Sequence, residues 1–324
     1  MKTSTIVRKW WVLIPLGILL WLAGAIFHPF EPRYDGRRLS AWARDMDWVD
    51  AGVTNQPTEL EIRQRHEKAA AAIQHISSRA LPIALELCKA QDSPYQEKVE
   101  NWITYQDCGI HIVSAHEKQY EGIIIIRALG PMAKSIIPDL IQLLRHKESA
   151  GAAAMALGGI GPDAIPSLLE CITDTNEYVR IHAIRALQDM GDQGRPAVPA
   201  LIRCLKDENH YVRLEAAISL RRIGGDPAVV VPAIVQCLDE ETDSFQSTRI
   251  IAVLAGFGTN ARPAIPELIR IIESNNANIA IHALGALWKI DPETAKPFVE
   301  KWKASQTNEL VPLVAPGGQK AKQE

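Results

Sequence analysis

Residues 164–191 read AIPSLLECITDTNEYVRIHAIRALQDMG, and residues 197–224 repeat the pattern 33 positions later as AVPALIRCLKDENHYVRLEAAISLRRIG. Each copy opens with an apolar residue, a proline and further apolar residues at helical spacing. A proline fits the first turn of a helix, because the N–H that it lacks has no partner there. A second helical pattern follows and ends in glycine, the residue favoured just past a helix end. Each copy therefore predicts a pair of helices.

The pair recurs along the second half of the chain. The same proline context occurs five times, at intervals of 28, 33, 33 and 34 residues: Pro138, Pro166, Pro199, Pro232 and Pro266. A glycine-closed helix precedes each of them, ending at Gly130, Gly161, Gly191, Gly224 and Gly258. A weaker copy ends at Asp291, with Pro297 after it. Two helices cannot bury their apolar faces alone, so stacked pairs must share one core, which predicts an all-α solenoid.

The polar links between the pairs, DTNEYVR at 174–180 and DENHYVR at 207–213, supply Asp and Asn as helix N-caps. With the A-x-x-x-L-x-x-x-G helix and the proline-led helix, they resemble HEAT repeats, in the short form first named for phycobilisome lyases. The resemblance covers Glu121 to Lys303 and implies a right-handed α-α superhelix. Ankyrin and tetratricopeptide repeats have similar periods, but their signatures are absent from the sequence.

An uncharged apolar segment lies near the N-terminus. Trp10 to Phe27 is 18 residues without a charge, preceded by Lys2, Arg8 and Lys9. This length is at the short end of what spans a bilayer. The stretch also fits a secretory signal with cleavage after the small residues at 23–25. Because hydrophobicity continues through that site, we expect an uncleaved single-pass transmembrane helix.

Either alternative, transmembrane helix or cleaved signal, directs the rest of the chain across the membrane. Basic residues lie on both sides of the apolar segment, so the charge bias sets the orientation only weakly. Residues 31–46, EPRYDGRRLSAWARDM, are similar to a segment that follows the anchor in bacterial membrane-attached HEAT-repeat proteins. We therefore expect a bacterial inner-membrane protein with its solenoid on the periplasmic side.

The sequence divides into five stretches. We expect a membrane anchor or uncleaved signal at 1–28, a juxtamembrane segment and N-terminal cap at 29–59, an atypical or degenerate repeat with an insertion at 60–120, the HEAT-like solenoid at 121–303 and a disordered tail at 304–324. In the cap, Leu39, Trp42 and Met46 fall on one helical face.

Composition and motifs disfavour several functions. The 324 residues are 47% hydrophobic with a formal net charge of −3, which lacks the basic excess of a general nucleic-acid binder. The sequence contains no H-E-x-x-H, G-x-S-x-G, P-loop or dinucleotide-binding pattern. We predict no catalytic residues, no metal site, no cofactor and no small-molecule substrate.

Cysteines at 33-residue spacing look like metal ligands only in the linear sequence. Cys171, Cys204 and Cys237 each lie five residues after their repeat proline, where flanking repeats carry Leu143 and Ile271. This position is predicted to be apolar core, in which cysteine packs as a small hydrophobic residue. Two further cysteines lie in the atypical region, and whether they form a disulfide is left open: Cys88 and Cys108.

Two histidine patterns invite a metal hypothesis. One repeat register holds His182, Glu215, Arg249 and His282, for which a partly exposed flank is the favoured interpretation. Two His-Glu pairs, at 66–67 and 116–117, are similar to those with which HEAT-repeat deoxyhypusine hydroxylases hold two irons: His66, Glu67, His116 and Glu117. That family uses four such pairs in symmetrical repeats, and here two precede the regular array.

The second helix of each pair carries a long polar residue four positions after its proline. We call these five residues the polar row: Gln142, Glu170, Arg203, Gln236 and Arg270. In HEAT-type arrays the second helices usually line a concave surface, so the row predicts a binding site for a protein partner. Arg203 and Arg270 are the foremost contact candidates, because arginine is enriched at binding hot spots.

The leading hypothesis is therefore a non-enzymatic interaction scaffold tethered to the membrane, with a protein partner that the sequence does not identify. The alternative is a metal-dependent hydroxylase or chromophore lyase built on the same solenoid. A third hypothesis makes the chain a packing subunit of a membrane complex, with an exposed apolar patch around Trp288 and Trp302.

Overall fold

The computed structural model describes residues 31–46, 58–92, 113–274 and 276–309, with side chains up to residue 304. The predicted anchor at 1–28, Cys108 and most of the predicted tail lie outside these ranges. The chain forms two compact units, Met1–Ala164 and Ile165–Glu324, each described by itself below. In the described residues, no single helix is long and apolar enough to cross a bilayer.

The first unit begins with a small hairpin that the sequence-based prediction missed. Strands β1 (Arg33–Tyr34) and β2 (Arg37–Arg38) pair antiparallel. Asp35 and Gly36 connect them with positive φ angles of 51° and 72°, the conformation that favours an Asp-Gly hairpin turn. The Asp-Gly pair between two short runs was the available sequence signal.

Six helices follow in the described part of this unit: α1 (Leu39–Met46), α2 (Glu59–His75), α3 (Ser77–Cys88), α4 (Ala115–Leu129), α5 (Ile137–Leu143) and α6 (Ala150–Ile160). Helix α1 packs on α2 and α4, and on the face predicted for Leu39, Trp42 and Met46 the first two are buried and Met46 is half-buried. The Trp42 indole N–H donates to the Tyr34 carbonyl at 3.2 Å, which joins helix and hairpin.

Capping boxes and close packing explain where the helices of the first unit begin and meet. Thr58 and Ser114 cap α2 and α4, each with a glutamate at the third helical position that reaches back to the cap. A Cβ on Gly122 of α4 would lie 2.8 Å from the Ala84 carbonyl oxygen of α3. Glycine at this position therefore permits the close contact between α3 and α4.

The second unit contains nine α-helices in its described residues, α7 to α15, and two short 3-10 helices, Gly191–Ala197 and Gly258–Ala264. Their bounds are α7 (Ile165–Cys171), α8 (Glu177–Asp189), α9 (Val198–Cys204), α10 (His210–Ile223), α11 (Pro227–Asp239), α12 (Ser244–Ala255), α13 (Ile265–Ile272), α14 (Ala277–Ile290) and α15 (Pro292–Glu309). Helix α15 runs past residue 303, where the solenoid was expected to end, and reaches Glu309.

Stacking within the second unit follows the predicted order. The first helices of successive pairs lie side by side, α8 on α10, α10 on α12 and α12 on α14. Leu187, Leu220 and Leu254 occupy the same register and are fully buried. Gly224 closes α10 in the left-handed conformation, with φ 75° and ψ 43°. The unit is therefore the all-α solenoid that the repeats predict, and the handedness of the superhelix stays a prediction.

One predicted helix start is wrong. Pro138, Pro166, Pro199 and Pro266 each lie at the second position of their helices, as the repeat predicts. Pro232 instead lies inside α11, which begins five residues earlier at Pro227. The Asp226 carboxylate accepts from the Ala228 N–H at 3.0 Å, and Pro227 fits the first turn. An N-cap followed by proline thus starts this helix early.

Candidate functional site

Each member of the polar row lies on the second helix of its pair, and the concavity of the surface that they share stays a prediction. All five side chains are exposed: Gln142 on α5, Glu170 on α7, Arg203 on α9, Gln236 on α11 and Arg270 on α13. Gln142 belongs to the first unit, and the other four belong to the second. The core residues between them, such as Leu201 on α9, are fully buried, so the row marks the outer face of each second helix.

Arg270 is already engaged within the chain. Its guanidinium pairs with Glu267 on the same helix at 2.5 Å and with Asp239 at the end of α11 at 2.7 Å. The hydrogen bond to Glu267 raises the pKa of Arg270 above its ordinary value. Gln236 donates to the Glu240 carboxylate at 2.9 Å. These contacts hold two members of the row in fixed orientations.

Arg203 differs from Arg270, because no carboxylate pairs with it among the described residues. Its guanidinium makes one long hydrogen bond of 3.4 Å, to the Pro199 carbonyl of its own helix. An exposed guanidinium with unused donors is suited to bind a partner's carboxylate or backbone carbonyl. Arg203 is therefore the member of the row with the most capacity for a new contact.

Two arginines in the links form contacts that sequence reasoning missed. Arg180 of α8 donates to the Asp174 carbonyl at 2.9 Å and to the Asp207 carboxylate of the next link at 2.7 Å. Arg213 of α10 repeats this with the Asp207 carbonyl at 2.9 Å and the Glu241 carboxylate at 2.5 Å. We call these contacts the arginine ladder.

The ladder joins successive links of the second unit through buried charges. The Arg180 side chain is 7% exposed and the Glu241 side chain is 1% exposed. Its hydrogen bond to Asp207 raises the pKa of Arg180, against the opposing effect of burial. The V-R dipeptide was visible in the repeat pattern, but its partner lies 27 or 28 residues away and no local signal identifies it.

In the register of His182, Glu215, Arg249 and His282, only Glu215 departs from the partly exposed flank that was favoured, since His182 is half-buried. Glu215 is buried and accepts from Arg185 at 2.6 Å. Burial and the nearby Arg185 lower the pKa of His182, while Glu215 opposes them. Arg249 and His282 are exposed as expected. The structure therefore brings His182, Arg185 and Glu215 together and leaves the other two members apart from this cluster.

The cysteine positions belong to the apolar core, as predicted. Cys171, Cys204 and Cys237 are 7%, 7% and 2% exposed. Burial raises the thiol pKa of Cys204 and Cys237 to about 11 and that of Cys88 to about 12. Thiols with such pKa values carry little thiolate at neutral pH and are poor nucleophiles and ligands.

The four residues of the iron hypothesis differ in solvent exposure. His66 is half-buried on α2, whereas Glu67, His116 and Glu117 are exposed. Across the described ranges, no group of three His, Cys, Asp or Glu side chains has an arrangement that would hold a metal ion. At the C-terminal end, Trp288 and Trp302 are 46% and 44% exposed, which is the exposure that the packing-subunit hypothesis expected.

Comparison with known proteins identifies the repeat. Residues 137–197 and 165–255 match the family model described as HEAT repeats. No curated protein matches the chain. Among solved structures, the crystal structure of an engineered protein is 20% identical, with an alignment that covers 78% of this chain and 96% of that chain at a TM-score of 0.36.

Proposed function

Since this chain carries HEAT repeats over residues 137–255, we propose that it is a non-enzymatic scaffold that binds a protein partner along its polar row. HEAT repeats generally mediate protein–protein interaction, because stacked pairs present long rows of side chains on one face. The observation that supports this surface most strongly is Arg203. It is exposed, and its guanidinium is not committed to any carboxylate in the described chain.

The surroundings of Arg203 are suited to a protein surface. The row alternates acidic, basic and neutral side chains, so it offers hydrogen-bond donors and acceptors to a mixed polar surface. Arg270 and Gln236 are held by Glu267 and Glu240, which reduces the side-chain entropy lost on binding. A partner carboxylate that contacted Arg203 would form a strong ion pair with its guanidinium.

The scaffold is proposed to be tethered to a bacterial inner membrane through Trp10–Phe27, with the solenoid on the periplasmic side. The support is the uncharged segment of 18 residues. We expect the full chain to remain in the membrane fraction after an alkaline wash and to be digested by protease added to spheroplasts. Release by the wash would contradict the tether, and protection from protease would reverse the orientation.

The test of the scaffold is a quantitative pull-down from native membranes with the full chain, solubilised in detergent. Arg203→Glu should deplete the specific partner by about tenfold or more, because it reverses the one basic side chain of the row that pairs with no carboxylate among the described residues. Arg262→Glu is the matched control, since Arg262 is also exposed but lies in the turn before α13. Equal capture by both variants would contradict the polar row as the binding surface.

Elemental analysis and an absorption spectrum of the same sample test the non-enzymatic part of the proposal. We expect no stoichiometric metal and no pigment on the purified chain. About two equivalents of iron, or a bound chromophore, would contradict the scaffold and favour the hydroxylase or lyase alternative. In that case His66→Ala and His116→Ala should lose the bound iron.

A further inference from the structure

Three aromatic side chains of the second unit are exposed at equivalent positions. Tyr178, Tyr211 and Phe245 are each the second residue after the N-cap of α8, α10 and α12. They are 63%, 50% and 66% exposed, although large apolar side chains elsewhere in these helices are buried. We call this surface, with the adjacent links, the link face. It is distinct from the polar row, whose residues lie on the second helices.

The N-caps fix the backbone of all three residues. The backbone N–H groups of Tyr178, Tyr211 and Phe245 donate to Asn176, Asn209 and Asp243 at 3.0, 2.8 and 2.8 Å. The arginine ladder then joins the links, through Arg180–Asp207 and Arg213–Glu241. The three rings are therefore carried on a rigid frame, so a ligand that bound them would order little of the protein.

The repeat sets the distance between the rings. Neighbouring packed helices lie about 10 Å apart, so successive rings of the link face are about that far from each other. An extended peptide advances about 3.3 Å per residue, and a polyproline II helix about 3.1 Å. Side chains of a β-strand alternate between two faces, whereas a polyproline II helix returns to the same face every three residues, so a peptide extended as polyproline II presents every third residue to the next ring.

The charge beside the rings is negative. A depression of about 600 Å³ lies between the second and third links and is lined by Asp207, Glu208, Glu240, Glu241 and Asp243, against Lys206, His210 and Arg213. The ladder neutralises Asp207 and Glu241. Glu208 has a 90% exposed side chain, and Glu240 is exposed as well. The Glu208 carboxylate lies 3.9 Å from the Arg180 guanidinium and Glu240 accepts from Gln236 at 2.9 Å, but both residues stay exposed and lie in the links that precede Tyr211 and Phe245.

We propose that the link face binds an extended peptide segment with arginine or lysine at every third residue. Cationic side chains are attracted both to the aromatic rings and to the two solvent-exposed carboxylates. A contact of the same kind exists within the chain, where the Arg249 guanidinium lies 6.0 Å from the centre of the Phe245 ring. An anionic membrane surface is the less favoured occupant, because the exposed carboxylates repel it.

Fluorescence anisotropy with two labelled nine-residue peptides tests this inference on the full chain in detergent. One peptide carries arginine at positions 1, 4 and 7, and its isomer carries the three arginines side by side. The spaced peptide should bind about tenfold more tightly, since only it places a cation at each ring. Equal affinity of the two peptides would overturn the proposal. Stronger binding to vesicles of anionic lipid than to the spaced peptide would overturn it too.

Variants separate a ring contact from a folding defect. Tyr211→Ala should weaken binding of the spaced peptide by about tenfold, and Tyr211→Phe, which keeps the ring, should retain it. Tyr120→Ala removes an exposed tyrosine from α4 of the first unit and is the matched control. Changing Glu208 and Glu240 to glutamine should weaken binding and reduce its salt dependence.

The polar row and the link face share one contact, the hydrogen bond from Gln236 to Glu240, so Arg203 and Tyr211 are the residues that test them separately. Arg203→Glu should leave peptide binding unchanged, because Arg203 lies on α9 outside the depression. If Arg203→Glu abolished it as completely as Tyr211→Ala, the peptide would occupy the polar row, and the link face would be refuted. If Tyr211→Ala behaved like Tyr120→Ala, the link face would also be refuted while the scaffold proposal stood.

Discussion

Two kinds of link join the helix pairs of the second unit, and they differ at one position. Four residues after the N-cap, the links at 174–180 and 207–213 carry Arg180 and Arg213, which reach the next link through the ladder. The following link carries Ser247 there, whose hydroxyl donates only to the Asp243 carbonyl of its own turn at 3.0 Å. The last link carries Ala280.

The buried core is similar in these repeats, whereas the side-chain contacts that couple one link to the next are not. The buried leucines are alike on both sides of the change, at Leu187, Leu220 and Leu254. The ladder places one ion pair between the first and second links and one between the second and third, and in the described chain none of its pairs reaches the last link. A buried pair is costly to break, because removing one partner leaves the other charge buried without compensation. Opening the first or the second link should therefore loosen the link that follows it, whereas opening the serine link should loosen the last link less, because no ladder pair joins those two in the described chain.

The largest expected effect comes from removing Arg213. Arg213→Ala should lower the free energy of unfolding of the surrounding repeats by about 3–5 kcal/mol, because Glu241 stays buried without its partner. Ser247→Ala, at the equivalent position, should cost about 1 kcal/mol. Hydrogen exchange followed by mass spectrometry measures both, repeat by repeat.

The control for charge loss alone is Arg195→Ala, whose pair with Asp192 is largely exposed. It should change stability by no more than about 1 kcal/mol. An Arg213→Ala variant as stable as Arg195→Ala would show that the ladder contributes nothing to coupling.

Truncating a core leucine should lower the free energy of unfolding by a similar amount beside either kind of link. Leu220→Ala, next to an arginine-closed link, and Leu254→Ala, next to the serine link, should each cost about 2–5 kcal/mol, since both side chains are fully buried. Urea denaturation gives the loss, and hydrogen exchange gives its extent. We expect protection to fall in neighbouring pairs as well as in the altered helix. Loosening confined to one helix would argue against a shared core.

A buried glutamine in the serine-linked repeat offers a stabilising change. Gln246 is 2% exposed, its Oε1 accepts no hydrogen bond within the described chain, and it lies in the slot that Val179 and Val212 fill in the two preceding pairs. Gln246→Val should raise the free energy of unfolding by about 1 kcal/mol, because it removes an unsatisfied polar group from the core. A thermal melt is sufficient, and a lower melting temperature would show that the glutamine makes a favourable contact.

The smallest expected effect is a difference in pH dependence. The pKa of His182 is lowered from 6.5 by burial and by Arg185, so below pH 6.5 the unfolded chain binds a proton that the folded chain resists. Stability should then fall as the pH decreases through that range, and the full contribution should be present above it. His182→Gln should show a shallower decrease between about pH 7 and about pH 5 in urea denaturation. An unchanged slope would mean that His182 titrates alike in both states.

Much of the fold could be predicted from the sequence, because the deciding signals are local and repeated. Proline at a helix start, glycine past a helix end and Asn or Asp at an N-cap act within one turn. Pro232 shows where this fails, since the Asp226-Pro227 pair five residues upstream starts the helix first. The Asp35-Gly36 hairpin turn was a readable signal that was missed.

The functional surfaces were harder to predict, because they depend on partners distant in sequence. The exposure of the polar row follows from helical periodicity, but the pairing of Arg270 with Asp239 and the lack of a carboxylate at Arg203 do not. Glu215 was placed on a partly exposed flank with the rest of its register, and its contact with Arg185, 30 residues away, accompanies its burial. The metal hypotheses likewise rested on linear spacing alone.

The most direct test of the scaffold is site-specific photo-cross-linking in living cells. A photoreactive amino acid in place of Gln236, an exposed member of the polar row, should give one dominant adduct with a partner protein. The same residue in place of Arg222, exposed at the end of a first helix, should not give that adduct. Equal adducts from both positions, or none from Gln236 and its neighbour Arg203, would contradict the account.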